Sequence, residues 1–161
     1  CGYEPNCQTR FDRYWLDYVN LSIEVINKKF FSICSTRWHA DSQWCILSFD
    51  PNIMTHENVY FATTNNRYTG VAREAGADGL LALYAPRIRQ WEGQYVTRPH
   101  GQSPAEPTCT QAEVLYPGEL SIAHLQKVIF SEHEQQDNLA GQLAVLGYGR
   151  FHHEVNEDYF H

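Results

Sequence analysis

Short apolar stretches bounded by turn residues recur along the chain and predict β-strands. Val114-Leu115-Tyr116 is the most informative of them, because Pro117-Gly118 closes it and a proline- and glycine-rich segment precedes it. Glu113 then stands at the start of a buried strand, where a carboxylate can face a cleft. Taken alone, such a residue is typical of a solvated strand edge, because glutamate is rarely buried without a partner.

Other stretches rich in β-formers predict further strands at residues 18–23, 44–49, 59–62, 128–130 and 151–155. Ser131, with Glu134 three residues later, predicts a capping box and a helix that runs to Leu146. The leucines of that segment recur at helical spacing and predict its buried stripe at Leu139, Leu143 and Leu146.

Residues 93–111 contain two glycines and three prolines, which predict a long irregular loop that leads directly to Glu113. The whole pattern consists of short strands and a few helices without regular βαβ alternation. It therefore predicts an α+β fold. The chain of 161 residues has no internal repeat and no linker, and we predict a single domain over residues 1–161.

Composition narrows the class of protein. Apolar residues make up 43% of the chain, which is typical of a globular protein, and no apolar run is long enough to span a membrane. The five cysteines are odd in number and form no C-x-x-C pair, so we expect neither a disulfide scaffold nor a zinc ribbon, and a reducing cytoplasm as the location. The chain begins at Cys1 rather than Met, and we expect a segment upstream of it to be missing.

Several common chemistries lack their sequence patterns. The eight histidines show no metal-ligand spacing, so we predict that the protein needs no metal. A G-x-S-x-G elbow and a glycine-rich phosphate loop are also absent from the sequence.

Charge and polar residues favour a different kind of site. The net charge of −7 argues against a nonspecific nucleic-acid coat, but Arg87, Arg89 and Arg98 with His100 form a local cationic cluster. A carboxylate, arginines and a polar turn at Asn65 and Asn66 suit cleavage of an N-glycosidic bond, in which positive charge develops on a sugar carbon. Arginines can also hold a pyrophosphate through paired hydrogen bonds.

The order of several segments resembles the DarT family, the DNA-targeting ADP-ribosyltransferase toxins of bacterial toxin–antitoxin systems. The resemblance runs from about Arg10 to the C-terminus, and its most specific block is Gln111-Ala112-Glu113-Val114-Leu115. The blocks before and after it are Asp17-Tyr18-Val19-Asn20-Leu21-Ser22-Ile23, Asn27-Lys28-Lys29-Phe30-Phe31, Trp44-Cys45-Ile46-Leu47-Ser48-Phe49-Asp50-Pro51, Phe61-Ala62-Thr63-Thr64-Asn65-Asn66 and Asp158-Tyr159-Phe160.

This resemblance implies an ADP-ribosyltransferase-like fold and a definite activity. Such proteins use NAD⁺, release nicotinamide and attach ADP-ribose to a base in single-stranded DNA, without a metal. By position, Glu113 is expected to be the catalytic glutamate, and residues 90–112 the loop that meets the target base. Arg13 or Arg10 is expected to contact the phosphates or ribose of NAD⁺, with Arg13 preferred and counted with Glu113 among the catalytic residues. Asn65 and Asn66 fit as further NAD⁺-site residues. A macrodomain antitoxin that removes ADP-ribose is the expected partner.

For the DNA, we expect Arg87, Arg89, Arg98 and His100 to guide the backbone and Trp91 or Tyr95 to stack on a base. The family's N-terminal segment, which carries a histidine motif on the nicotinamide side of NAD⁺, is not seen in this chain. The target base, thymine or guanine, stays open. Two alternatives also stay open: NAD⁺ hydrolysis or protein modification by the same glutamate, and a binding module of the same fold without catalysis.

Overall fold

The computed structural model describes residues 13–148 and 151–161, and it confirms the predicted α+β class. The strands in this part of the chain are β1 (Tyr18–Leu21), β2 (Cys45–Phe49), β3 (Tyr60–Ala62), β4 (Arg73–Ala75), β5 (Arg87–Arg89), β6 (Tyr95–Thr97), β7 (Glu113–Pro117), β8 (Leu125–Phe130) and β9 (His152–Val155). The α-helices are α1 (Lys28–Ile33), which continues into the π-helical segment Cys34–Trp38, α2 (Gly76–Ala82) and α3 (His133–Val145).

The described residues form two compact units, one of residues 13–24 and 54–120 and one of residues 25–53 and 121–161. The first unit contains the stretch around Glu113. The single domain expected from the sequence stays a prediction.

An antiparallel sheet with the strand order β1-β7-β3-β4 is the centre of the first unit. Alternate residues of a strand point to opposite faces. One face carries Phe61 and Val114, both 2% exposed, and packs with Leu83 into an apolar core. The opposite face carries Glu113 and Arg73, so burial of the first face leaves these two charged residues together on the second.

The second unit is built on the sheet β2-β8-β9, in which β8 pairs antiparallel with β2 and parallel with β9. Helix α1 begins after Asn27, whose side chain accepts a hydrogen bond from the Phe30 N–H at 3.1 Å, as an N-cap residue does. The Phe31 ring lies against Trp44 and Phe160, with centroids 5.6 and 5.5 Å apart. Aromatic packing therefore attaches α1 to the end of the chain.

Three local predictions were wrong. Residues 93–111 are not wholly irregular, because β6 lies within them and pairs with β5. The helix α3 has Glu132 at its N-cap without a side-chain bond, while Ser131 Oγ donates to Gln135 Oε1 at 3.3 Å, so no capping box forms. The predicted apolar stripe is not fully buried, since Leu139 and Leu143 are half-buried and Leu146 is 69% exposed.

Candidate active site

Glu113 is the first residue of β7, and it lies half-buried at the place where the sequence predicts it. In the sheet register Ala62 is opposite Glu113 on one side and opposite Arg73 on the other. Residues directly opposite each other share a face of the sheet. Glu113 and Arg73 therefore project from the same face, separated by one strand that carries only a methyl group at that position.

The turn after β3 holds the carboxylate of Glu113. The backbone N–H of Asn66 donates to Glu113 Oε2 at 2.9 Å. Asn65 has a different role, because its Oδ1 accepts from the Arg67 N–H at 2.9 Å and closes an Asx turn. The two asparagines predicted as site residues thus divide into one that shapes the turn and one that contacts the glutamate.

Arg73 binds the same turn from the other side. Its Nε donates to Asn66 Oδ1 and its Nη2 donates to the Asn66 carbonyl oxygen, both at 2.5 Å. The guanidinium also lies over the Trp15 ring, 5.3 Å from its centroid, which is a cation–π distance. Trp15 in turn packs against Tyr18 and Tyr60, with centroids 4.9 and 5.0 Å away. The face thus has a carboxylate, a guanidinium and an aromatic wall.

The hairpin β5–β6 presents cations and aromatic rings to solvent. Ile88, only 3% exposed, points inward, while Arg87, Arg89 and Tyr95 lie on the outer face of the hairpin. The Arg87 guanidinium lies 4.0 Å from the centroid of the Tyr95 ring. Proteins that bind single-stranded nucleic acids commonly combine basic side chains with exposed aromatic rings in this way.

Contacts join the hairpin to the turn that holds Glu113. The Trp91 ring, in the hairpin loop, stacks on Tyr68, with centroids 6.0 Å apart and planes inclined by 22°. Gln90 Nε2 donates to the buried Cys109 Sγ, and Cys109 Sγ donates to Thr64 Oγ1, both at 3.3 Å. The hairpin and the carboxylate thus share one scaffold, in which both Thr64 and Tyr68 flank Asn66 in sequence.

The Arg98 side chain makes hydrogen bonds within its own loop. Its guanidinium donates to the carbonyl oxygens of Glu106 and Ser103 at 2.9 and 2.7 Å, and to Thr108 Oγ1 at 3.2 Å. These bonds close the loop that leads to Glu113. Arg98 therefore braces this loop, whereas His100 is exposed on it.

The remaining predicted cationic residues lie at the N-terminal end. Arg13 is exposed and contacts Tyr14, with its Nη2 2.7 Å from the Tyr14 hydroxyl oxygen. Arg10 lies outside the described residues. Arg73, Trp15 and Tyr68 were not predicted, because only the order of the strands and the path of the turn bring them to this site.

Residues 13–148 and 151–161 contain no group of three or more His, Cys, Asp or Glu residues that could hold a metal ion. Among the helices of these residues, none is long and apolar enough to cross a membrane.

Comparisons with known proteins give a family and a fold. The model of a family described as DarT, ssDNA thymidine ADP-ribosyltransferase, matches residues 4–161. DarT of Thermus sp. 2.9 in complex with NAD⁺ is 11% identical, with a TM-score of 0.60, over 90% of this chain and 73% of that chain. DarT of Thermus sp. 2.9 in complex with ADP-ribosylated ssDNA is 11% identical, with a TM-score of 0.62, over 90% of this chain and 69% of that chain.

A longer protein also matches. DarTG of Thermosipho africanus in complex with ADP-ribose is 11% identical, with a TM-score of 0.60, over 89% of this chain but only 36% of that chain. No curated protein matches. At identities of 11%, the solved structures establish the fold of this chain. The family model establishes the family to which the chain belongs.

Proposed function

The chain belongs to the DarT family, and we propose that it transfers ADP-ribose from NAD⁺ to a thymidine base in single-stranded DNA, with Glu113 as the catalytic carboxylate. The observation that carries this proposal is the Glu113 carboxylate itself. It is held at the start of β7 by the Asn66 N–H, on a scaffold shared with an exposed basic and aromatic hairpin. The family is one of ssDNA thymidine ADP-ribosyltransferases, which supports thymidine as the target that the sequence left open.

The chemistry requires one bond to break and one to form. The bond between ribose C1′ and the nicotinamide nitrogen breaks, and its electron pair leaves with nicotinamide. The positive charge that develops on the ribose is stabilised by the Glu113 carboxylate. A ring nitrogen of the base then bonds to C1′, and its proton passes to Glu113.

For the NAD⁺ site, we assign Arg13 or Arg10 to the dinucleotide phosphates. Asn66 also has a place there, because its Nδ2 is buried without a hydrogen-bond partner among the described residues. Such a group is costly to bury unless something accepts its hydrogen bond. Asn65 supports the site through its turn.

For the DNA, we assign the backbone contacts to Arg87 and Arg89, with His100 beside them, and the base contacts to Trp91 and Tyr95. Phosphates pair with guanidinium groups, and bases stack on aromatic rings with little sequence preference. The bonds that Arg98 makes within its loop support a bracing role for it.

Family membership also supports a proposal about the cellular setting. We propose a toxin that acts in the cytoplasm, where NAD⁺ and exposed single strands are both present, and an antitoxin macrodomain that removes ADP-ribose. The structure of DarTG of Thermosipho africanus was solved in complex with ADP-ribose. Cys34, Cys45 and Cys109 are free thiols, which is consistent with a reducing compartment.

The test is to incubate the protein with NAD⁺ and thymidine-containing single-stranded oligonucleotides and to measure intact mass. One added ADP-ribose per modified base is expected, together with one released nicotinamide. Nicotinamide release without a change in oligonucleotide mass would indicate NAD⁺ hydrolysis instead. An unchanged oligonucleotide with NAD⁺ demonstrably bound would overturn the proposal.

Glu113→Gln should reduce transfer by roughly 10²–10³-fold, because it removes the negative charge that opposes the developing cation. The amide oxygen can still accept from the Asn66 N–H, so the fold should persist. Glu119→Gln is the matched control, since Glu119 is an exposed acid just beyond β7. Equal activity of the two variants would remove Glu113 from the mechanism.

A further inference from the structure

Arg73 is a charged side chain on the same face of the sheet as Glu113. The two residues occupy the outer strands of a three-strand row, Glu113–Ala62–Arg73, and project from the same face. Between them lies the backbone of Asn66, which contacts both side chains. A charged residue at this place is either a substrate contact or a support for the glutamate, and its hydrogen bonds decide which.

The hydrogen bonds of Arg73 form a clamp that holds both the side chain and the backbone of Asn66. Its Nε binds the side-chain oxygen of Asn66 and its Nη2 binds the backbone oxygen of Asn66. A guanidinium presents donors in a rigid planar fork, so two bonds to one residue fix both the position and the rotation of that residue. The Asn66 N–H is in this way aimed at Glu113 Oε2.

The burial of Asn66 makes its hydrogen bonds to Arg73 important. Asn66 is only 2% exposed, so water cannot replace the bonds that Arg73 supplies to its two oxygens. Arg73 is itself oriented from behind by the Trp15 ring, 5.3 Å from its guanidinium carbon. Loss of the fork would leave two buried acceptors unpaired and free the turn to rotate.

We propose that Arg73 is a positioning residue that acts through Asn66 to hold the Glu113 carboxylate in its reactive place. The expected effect on the reaction rate rests on the proposed function. The expected effect on the hydrogen bond from the Asn66 N–H to Glu113 does not. A displacement of about 1 Å at a reacting group costs roughly 10²-fold in rate. Removal of the fork should therefore lower kcat by roughly that factor.

The variants are Arg73→Lys, which keeps the charge but loses the fork, and Arg73→Gln, which loses both. Arg37→Gln is the control, because Arg37 is an exposed arginine on the π-helical segment, in the other unit. Arg73→Lys should lose most of the rate that Arg73→Gln loses. Full activity of Arg73→Lys would show that charge alone matters and would overturn the proposal.

A readout independent of activity separates this proposal from the proposed function. In ¹⁵N-labelled protein the Asn66 amide resonance reports its hydrogen bond to the carboxylate. Arg73→Lys should move this resonance and speed its hydrogen exchange, while Arg37→Gln should not. An Asn66 amide unaffected by Arg73→Lys would overturn the positioning role even if DNA transfer is robust. A shifted amide in a protein without transferase activity would keep the role and overturn the function.

A double-variant cycle tests whether Arg73 acts through Glu113 or independently of it. If Arg73 acts only by placing the carboxylate, Arg73→Lys should cost little further rate in a Glu113→Gln background, because the group being placed is already lost. Losses that simply multiply would show that Arg73 acts independently, for instance on substrate, and would overturn the proposal.

Discussion

The Trp91 ring stacks on the Tyr68 ring, with planes inclined by 22° and centroids 6.0 Å apart. Tyr68 follows Asn66 by two positions, and Asn66 binds the Glu113 carboxylate. Trp91 is nevertheless 46% exposed, so the stack supports the indole from one side and leaves ring surface available to a ligand. A supported, partly open indole on the scaffold that also holds the Glu113 carboxylate is a suitable platform for a base.

Trp91→Ala is expected to weaken binding of single-stranded DNA by about 1–3 kcal/mol, because one base–aromatic stack is lost. Fluorescence anisotropy of a labelled oligonucleotide at one fixed salt concentration measures this loss. Trp38→Ala is the control, since Trp38 is 61% exposed but lies on the π-helical segment Cys34–Trp38. Equal losses in the two variants would contradict a specific role for Trp91.

The hairpin loop carries backbone strain at Glu92. Glu92 has a φ of 51° and Gly93 a φ of 74°, and the Gln94 N–H donates to the Trp91 carbonyl at 3.0 Å. Two successive positive φ values define a type I′ turn, for which Asn-Gly is the preferred pair. Glu92→Asn should therefore raise the free energy of unfolding by about 1 kcal/mol or less, as measured by urea denaturation.

Glu57→Asn is the comparison for that experiment, because Glu57 is also exposed in a turn but has no positive φ. It should leave stability unchanged or slightly lower. A Glu92→Asn variant less stable than the parent protein would mean that the glutamate side chain makes a compensating contact.

The pair Lys127–Glu154 predicts a pH dependence of the second unit. The Nζ–Oε2 distance is 2.8 Å, and the hydrogen bond from Lys127, with a second from Asn156, lowers the pKa of Glu154. A lowered folded-state pKa stabilises the fold above the unfolded-state value of about 4.3 and loses this effect as pH falls through the folded-state pKa. Glu154→Gln should thus cost about 0.2–1 kcal/mol at pH 7 and nothing in strong acid.

Denaturation curves at several pH values measure that difference. The pKa of Lys127 is raised, chiefly by its hydrogen bond to Glu154, so the same stabilisation should also fade as pH rises through the folded-state pKa of the lysine. High salt should reduce the difference at pH 7, because the side chains are 31% and 28% exposed. A difference that is constant across pH would show that packing rather than charge is responsible.

The sequence predicted strands well where the apolar pattern is local. β2 and β7 consist mostly of β-formers bounded by turn residues, and both lie where they were expected. β4 was missed because Arg73-Glu74-Ala75 carries no such pattern, and it is a strand only because it pairs with β3. Glu113 was identified by resemblance, whereas Arg73 reaches the site through strand order, which no local pattern contains.

Gly79 explains why β4, which carries Arg73, can lie so close to α2. A Cβ added at Gly79 would stand 2.1 Å from the Glu74 carbonyl oxygen and 3.1 Å from the Phe61 ring. The first contact involves backbone, which cannot rotate away, so Gly79→Ala must displace β4. We expect a loss of about 1–3 kcal/mol in unfolding free energy and a fall in transferase activity beyond the fall in folded fraction.

Gly141→Ala is the matched control for this experiment. Gly141 also lies within a helix, α3, but a Cβ there would meet nothing within 4 Å. The added methyl should raise stability by about 0.5–1 kcal/mol, because alanine favours helices more than glycine does. If Gly79→Ala were also stabilising, close packing of β4 against α2 would not be needed for stability. Strand pairing alone would then place the row Glu113–Ala62–Arg73.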